Sequence, residues 1–189
     1  MKYFPDLDDT MSWEDQEKIR RRLLFEYFSE LDQLKNRISK LAYRFFKLEY
    51  PGLPPDDHES LHDARLLSFA TGDGLGYVAD GTTPLRPRGR RPKGSAEIRL
   101  LNLKQDAEYV FTYRGLLRVL CDKPRPAAHD VFTIEPDDFD DLDVHELTRI
   151  DDEYLRHEFQ FASRASIAID FKQLIFRRRV IKRRYSLFW

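Results

Sequence analysis

From Ser12 to about Tyr50 the apolar positions Leu24, Tyr27, Leu31, Leu34, Ile38, Leu41, Phe45 and Leu48 recur at alternating steps of three and four. That spacing predicts one long amphipathic helix, its stripe widened by Ile19, Phe28, Ala42 and Phe46 until it can cover a sheet or a second helix. Ser12, with Asp15 three residues on, marks its start as an oxygen cap followed by an acidic first turn. No proline interrupts the run, but a break near Asn36 would make it a helical hairpin. The flanking positions are not cleanly charged, which favours core packing over a coiled-coil dimer.

The period then changes. Pro51, Gly52, Pro54 and Pro55 end the helix and divide the chain into a helical region, 1–55, and a β-rich region, 56–189. Strands are expected at Leu66–Thr71, at Leu75–Ala79 after a Gly72-Asp73-Gly74 turn, at Ala96–Leu103 and at Glu108–Tyr113. In the last of these Tyr109, Phe111 and Tyr113 share the face predicted to be core. Gly115 suits a bulge before a strand at Leu116–Cys121, and Val131–Ile134 reads as another. Val144–Ile150, Tyr154–Ala162 and Ala165–Phe176 then read as a three-strand meander. Leu155, His157, Phe159 and Phe161 alternate inward against Arg156, Glu158 and Gln160. The expected class is α+β: a long N-terminal helix or hairpin packed with a mostly antiparallel, curved sheet.

Composition narrows the functional classes. Thirty-two Lys and Arg against 33 Asp and Glu give a formal net charge of -1, so any nucleic-acid interaction must come from local patches. The single cysteine, Cys121, forms no internal disulfide and is expected to pack as a small hydrophobe in its strand, in keeping with a cytoplasmic setting. No apolar run is long enough to span a bilayer, and Phe4-Pro5-Asp6-Leu7-Asp8-Asp9 is unlike a signal peptide.

Three stretches carry candidate chemistry. Ser60-Leu61-His62-Asp63-Ala64 precedes the first strand, and an aspartate beside a histidine fixes the ring's tautomer. His62, Asp63 and His157 are expected to be structural polar residues next to core positions, with contact between the two histidines left open by the sequence; the alternative is a metal-dependent hydrolase around them, since two imidazoles and a carboxylate bind an ion when they converge. Glu135 to Asp143 is the most acidic run, with Phe139 and Leu142 as anchors of a turn that lacks a calcium loop's spacing. Its Asp137, Asp138, Asp140, Asp141 and Asp143 are candidates for contact with a basic partner. Conversely, Arg86, Arg88, Arg90, Arg91 and Lys93 in a Gly- and Pro-rich loop at 80–95, and Arg177, Arg178 and Arg179 in the tail strip 177–184, are candidates for nucleic acid or an acidic partner. On an edge strand the tail cations have a simpler use, blocking unwanted pairing. No phosphate loop, nucleophile elbow, paired-cysteine motif or dinucleotide fingerprint is present, so no cofactor is expected.

Leu61-His62-Asp63-Ala64 leading into a strand, Arg156-His157-Glu158-Phe159 in a late one, and the opening Met1-Lys2-Tyr3-Phe4 together resemble a group of bacterial proteins. Several such families are immunity proteins of polymorphic toxin systems. The resemblance covers mainly residues 60–71 and 154–176, and the basic stretches at 86–94 and in the tail depart from it. It implies a non-enzymatic, cytoplasmic protein-binding module that neutralises a toxin, and it carries no active site. A nucleic-acid-binding protein using 86–93 and 177–184 is the second expectation.

Overall fold

The side-chain oxygen of Ser12 accepts the Asp15 amide at 3.2 Å and opens helix α1, Trp13–Leu34, as the capping pattern predicts. A computed structural model of the chain describes residues 1–5, 7, 10–49, 60–72, 76–78, 94–122 and 139–181. The expected Pro51–Pro55 linker, the Asp73-Gly74 turn, the strand Val131–Ile134, the basic residues Arg86, Arg88, Arg90, Arg91 and Lys93, the acids Asp137 and Asp138, and the tail beyond Ile181 lie outside the described residues.

The helical region is two helices. Residues 35–39 separate α1 from α2, Lys40–Glu49, and the Ser39 hydroxyl accepts the Ala42 amide at 3.1 Å to begin the second helix. This break, close to Asn36, resets the helical phase. Leu41, which one continuous helix would have buried, is 52% exposed, while Ala42 and Phe46 take the core positions.

Nine strands follow among the described residues: β1 Arg65–Thr71, β2 Gly76–Val78, β3 Ser95–Leu101, β4 Ala107–Arg114, β5 Arg118–Asp122, β6 Leu142–Arg149, β7 Leu155–Phe161, β8 Ser166–Phe171 and β9 Gln173–Val180. All pairings are antiparallel, in a five-stranded sheet ordered β2-β1-β3-β4-β9 and a four-stranded sheet ordered β5-β8-β7-β6. With its two helices the chain is an α+β protein.

The expected single strand Ala165–Phe176 is in fact β8 and β9, and these belong to different sheets. Its partner bends at the same place. Between the paired residues Arg114–Gln173 and Arg118–Asp170, one chain has residues 115, 116 and 117 and the other only 171 and 172. The extra residue is a bulge, and Gly115 supplies it at φ +64°, a left-handed conformation that glycine adopts without a Cβ penalty. The Lys172 amide bonds the Arg114 carbonyl at 3.1 Å across the bend. One two-stranded ribbon thus passes from sheet to sheet.

The core lies between the sheets and under the helices. Tyr109, Phe111 and Tyr113 from β4 face His157, Phe159 and Phe171 from the other sheet, all buried. Phe45 and Phe46 of α2 enter the same cluster, Phe45 stacking on Phe176 with ring centroids 4.4 Å apart. Burial of aromatic rings of this size is the dominant stabilising contribution in such a layered domain.

Helix α1 has a second task. Strand β6 ends its sheet, and an open edge offers unpaired amides to any passing strand. The Tyr27 hydroxyl accepts the Leu147 amide at 3.3 Å and the Glu30 carboxylate accepts the Arg149 amide at 2.6 Å, so helical side chains occupy two successive edge positions.

Candidate functional site

Three polar arrangements stand out, and the first lies in the core. Period-two alternation points His145 of β6 and His157 of β7 inward, and in the pairing of those strands His145 lies opposite Phe159 and His157 opposite Leu147. The Tyr113 hydroxyl is 2.7 Å from His157 Nδ1, and His157 Nε2 is 3.0 Å from His145 Nδ1. All three side chains are buried.

The proton arrangement follows from satisfying the buried donors. Tyr113 has His157 as its hydrogen-bond partner, so its O–H must donate to His157 Nδ1 or be left without an acceptor. His157 then carries its own proton on Nε2 and donates it to His145 Nδ1. Burial lowers the His157 pKa well below the ordinary histidine value, the neighbouring His145 lowers it further, and burial raises that of Tyr113 well above a free tyrosine. Phe45, Phe46, Phe111 and Phe159 surround the pair. The arrangement fixes rings and tautomers and has no open face for a substrate.

His62, Asp63 and His157 do not come together. His62 Nδ1 bonds Asp63 Oδ1 at 3.0 Å, but the His62 side chain is 49% exposed, on a turn where Asp63 adopts φ +60°. His62 was expected next to a core position, but it pairs with Asp63 at the surface, and the inner partners of His157 are Tyr113 and His145. Among the described residues no group of three or more His, Cys, Asp or Glu is placed to hold a metal ion. His145 was legible only through its alternation with Leu147, and a lone histidine in a strand gives no sign of its partner.

The second arrangement is acidic. Phe139 and Leu142 are buried, Phe139 edge-on to Phe161 at 5.1 Å, while Asp140, Asp141 and Asp143 are exposed. The turn carrying Asp63 is tied to this segment by the Asp63 amide on the Leu142 carbonyl at 2.9 Å and the Leu142 amide on the Ala64 carbonyl at 2.8 Å. Burial and then the charges of Asp140 and Asp63 push the Asp141 pKa up. Beside these acids Asp143 borders a groove of about 560 Å³ whose lining includes Phe4, Leu23, Leu24 and Val144, and also Glu17, Arg20 and Arg21.

A cross-strand row forms the third. On the outer face of the smaller sheet Arg156, Asp170 and Arg118 stand side by side on β7, β8 and β5. Asp170 is buried beneath the two cations, taking Arg156 at 2.7 and 3.0 Å and Arg118 at 3.0 Å. Burial alone would raise its pKa, but the two guanidinium groups outweigh that and hold it below the ordinary carboxylate range. Another acid, Glu146, is buried on β6 and accepts the amides of Lys2 and Tyr3 at 2.6 and 2.9 Å; its pKa is raised by burial against the pull of those bonds.

The described tail cations, Arg177, Arg178 and Arg179, do not share one face. Strand β9 ends the larger sheet, with Arg177 and Arg179 on its outer side, while Arg178 turns inward with its guanidinium 5.8 Å from the Tyr109 ring. Carboxylates interleave them: Glu108 meets Arg179 at 4.0 Å and Arg99 at 3.3 Å, and Arg99 also meets Glu97. Cys121 is exposed, which corrects the expectation of a packed strand thiol: β5 ends its sheet and does not cross the core. Among the described residues no helix is long and apolar enough to cross a membrane. Comparison with family models, with curated proteins and with solved structures gives no match for this chain.

Proposed function

We propose that this chain is a non-enzymatic protein-binding module, of the kind an immunity protein represents, and that its acidic segment receives a basic partner. One juxtaposition carries the reading. Asp140, Asp141 and Asp143 are held outward on the buried anchors Phe139 and Leu142, beside an apolar groove that Asp143 borders. An apolar recess with a charged rim is the layout of a contact surface that anchors one large side chain and steers its partner by charge. Crowding of Asp141 by Asp140 and Asp63 is relieved when a cation arrives, which adds to the attraction.

The nucleic-acid reading has less support, because Glu97 and Glu108 already neutralise part of the basic face that includes Arg179. The test is a binding titration against the proteins encoded beside its gene, using the wild-type chain and the triple variant D140N/D141N/D143N. Salt-sensitive binding that the variant loses supports the proposal. If no neighbour-encoded protein binds, or the variant binds equally well, the acidic segment is not the contact surface.

A further inference from the structure

Strand alternation sends His145 and Leu147 into the core, so Glu146 between them belongs to the outer face of the smaller sheet, where a carboxylate is ordinarily wet. It is instead 1% exposed. Residues 2 and 3 lie against it, their amides donating to its two carboxylate oxygens at 2.6 and 2.9 Å. From there the segment crosses to α1. The Tyr3 ring packs on Tyr27 with centroids 5.5 Å apart, Phe4 stands edge-on to the same ring at 5.2 Å, and the Tyr3 hydroxyl and Lys2 ammonium share Glu30. Residues 2–5 thus form a strap from the sheet to the helix.

The strap is also a wall. Tyr3, Phe4 and Pro5 line the groove that Asp143 borders, and Lys2 and Tyr3 line a second recess of about 450 Å³ farther along α1, beside Ser29 and Arg149. Tyr3 belongs to both and stands between them. A buried carboxylate is a costly way to hold such a wall, and Glu158, a like charge, lies directly opposite Glu146 on β7. What the carboxylate adds is direction: two acceptor oxygens fix two successive amides, and with them where the rings of Tyr3 and Phe4 point. We propose that Glu146 is the positioning residue of the groove: by fixing the strap it sets the wall that a partner's anchoring side chain meets. The consequence for binding rests on the acidic segment and its groove being the contact surface; the placing of the strap by Glu146 does not.

Hydroxyl-radical footprinting read by mass spectrometry tests the first step without a partner. Glu146→Leu fills the same space but offers the two amides no acceptor, so oxidation of Tyr3, Phe4 and Tyr27 should rise severalfold while Tyr109 and Tyr113, buried between the sheets, stay protected. Glu146→Gln keeps one acceptor oxygen and should fall between wild type and Glu146→Leu; it decides alone if the leucine variant does not fold. Unchanged labelling at Tyr3, Phe4 and Tyr27 overturns the proposal. So does a rise at Tyr109 and Tyr113 as well in both variants, because Glu146 would then hold the whole fold and not the strap. Against a neighbour-encoded protein that binds the wild-type chain, Glu146→Leu should weaken binding roughly tenfold. Equal affinity with a freed strap overturns the wall's part in binding. If no neighbour-encoded protein binds, the reading of the acidic segment fails and takes the binding consequence with it, whereas the footprint still decides whether Glu146 sets the strap.

Discussion

The rings of His157 and His145 meet nitrogen to nitrogen, Nε2 against Nδ1 at 3.0 Å, in a core built otherwise of aromatic and aliphatic side chains. Tyr113 closes the other end at 2.7 Å, so both ring nitrogens of the buried His157 have a polar partner. Removing one member leaves the next with a buried, unmatched atom. Replacing Tyr113 by Phe strands His157 Nδ1 and should cost about 1–3 kcal/mol; His157→Phe strands both neighbours and should cost more, roughly 2–4 kcal/mol. Urea titration followed by fluorescence measures both, and a reversed order would show that His157 does not link Tyr113 to His145.

Acid should weaken the protein through the same histidine. Burial, reinforced by His145, lowers the folded-state pKa of His157 well below the ordinary value of 6.5, so the unfolded chain takes up a proton there that the folded chain refuses. The contribution is complete above about pH 6.5 and is lost as pH falls toward the folded value, at up to ~1.4 kcal/mol per pH unit. Glu146 acts in the opposite sense, because its folded pKa is raised: its penalty begins above its ordinary value of 4.5 and fades in acid. Stability of wild type and His157→Phe measured between pH 7 and pH 5 should therefore converge as the pH falls. Parallel curves would assign the acid sensitivity to other groups.

Asp170 is expected to be worth more than either of its partners. Its removal in Asp170→Asn leaves Arg118 and Arg156 facing each other without a counter-charge, at a cost of about 2–3 kcal/mol; both cations reach solvent, which keeps the loss below that of a fully buried pair. Arg118→Ala should cost less than about 1 kcal/mol, since that side chain is half exposed and Arg156 still holds both carboxylate oxygens. Thermal melts of the two variants give the comparison.

Glu30→Ala should uncover the β6 edge. The Arg149 amide loses its acceptor, and Lys2 and the Tyr3 hydroxyl lose the carboxylate they share. Amide hydrogen exchange is the direct readout, with faster exchange at Arg149 and unchanged protection within the β3–β4 pair. Uniform acceleration across both sheets would mean that the helix is stabilising the whole fold and not one edge.

At the bend between the sheets, Gly115→Ala should destabilise by about 1–2 kcal/mol, because φ +64° disfavours any Cβ. An added methyl would also meet the Lys172 side chain at 3.1 Å. A Lys172→Ala background removes the Cγ and Cδ contacts but keeps the Cβ at 3.1 Å, so it should recover only a small part of the loss, and chemical denaturation of the single and double variants measures how much.

Much of this architecture was readable from local pattern. The cap at Ser12, the core face of Tyr109, Phe111 and Tyr113, the alternation of Leu155, His157, Phe159 and Phe161, and the anchors Phe139 and Leu142 each depend on neighbours a few residues away. The helix break could be placed only loosely, and its effect on Leu41 could not, because the stripe continued through it without a missing apolar residue.

What the chain's order of residues determined by itself was where strands and helices form and which of their faces are oily, since backbone preference and side-chain alternation act locally. Only the tertiary structure decided that Ala165–Phe176 splits between two sheets, that His157 meets His145 and Tyr113 instead of His62, and that Arg118 and Arg156 share Asp170. Those outcomes turn on a bulge that bends a paired ribbon and on which strands lie side by side, and pairing between distant segments leaves no periodic trace in either one.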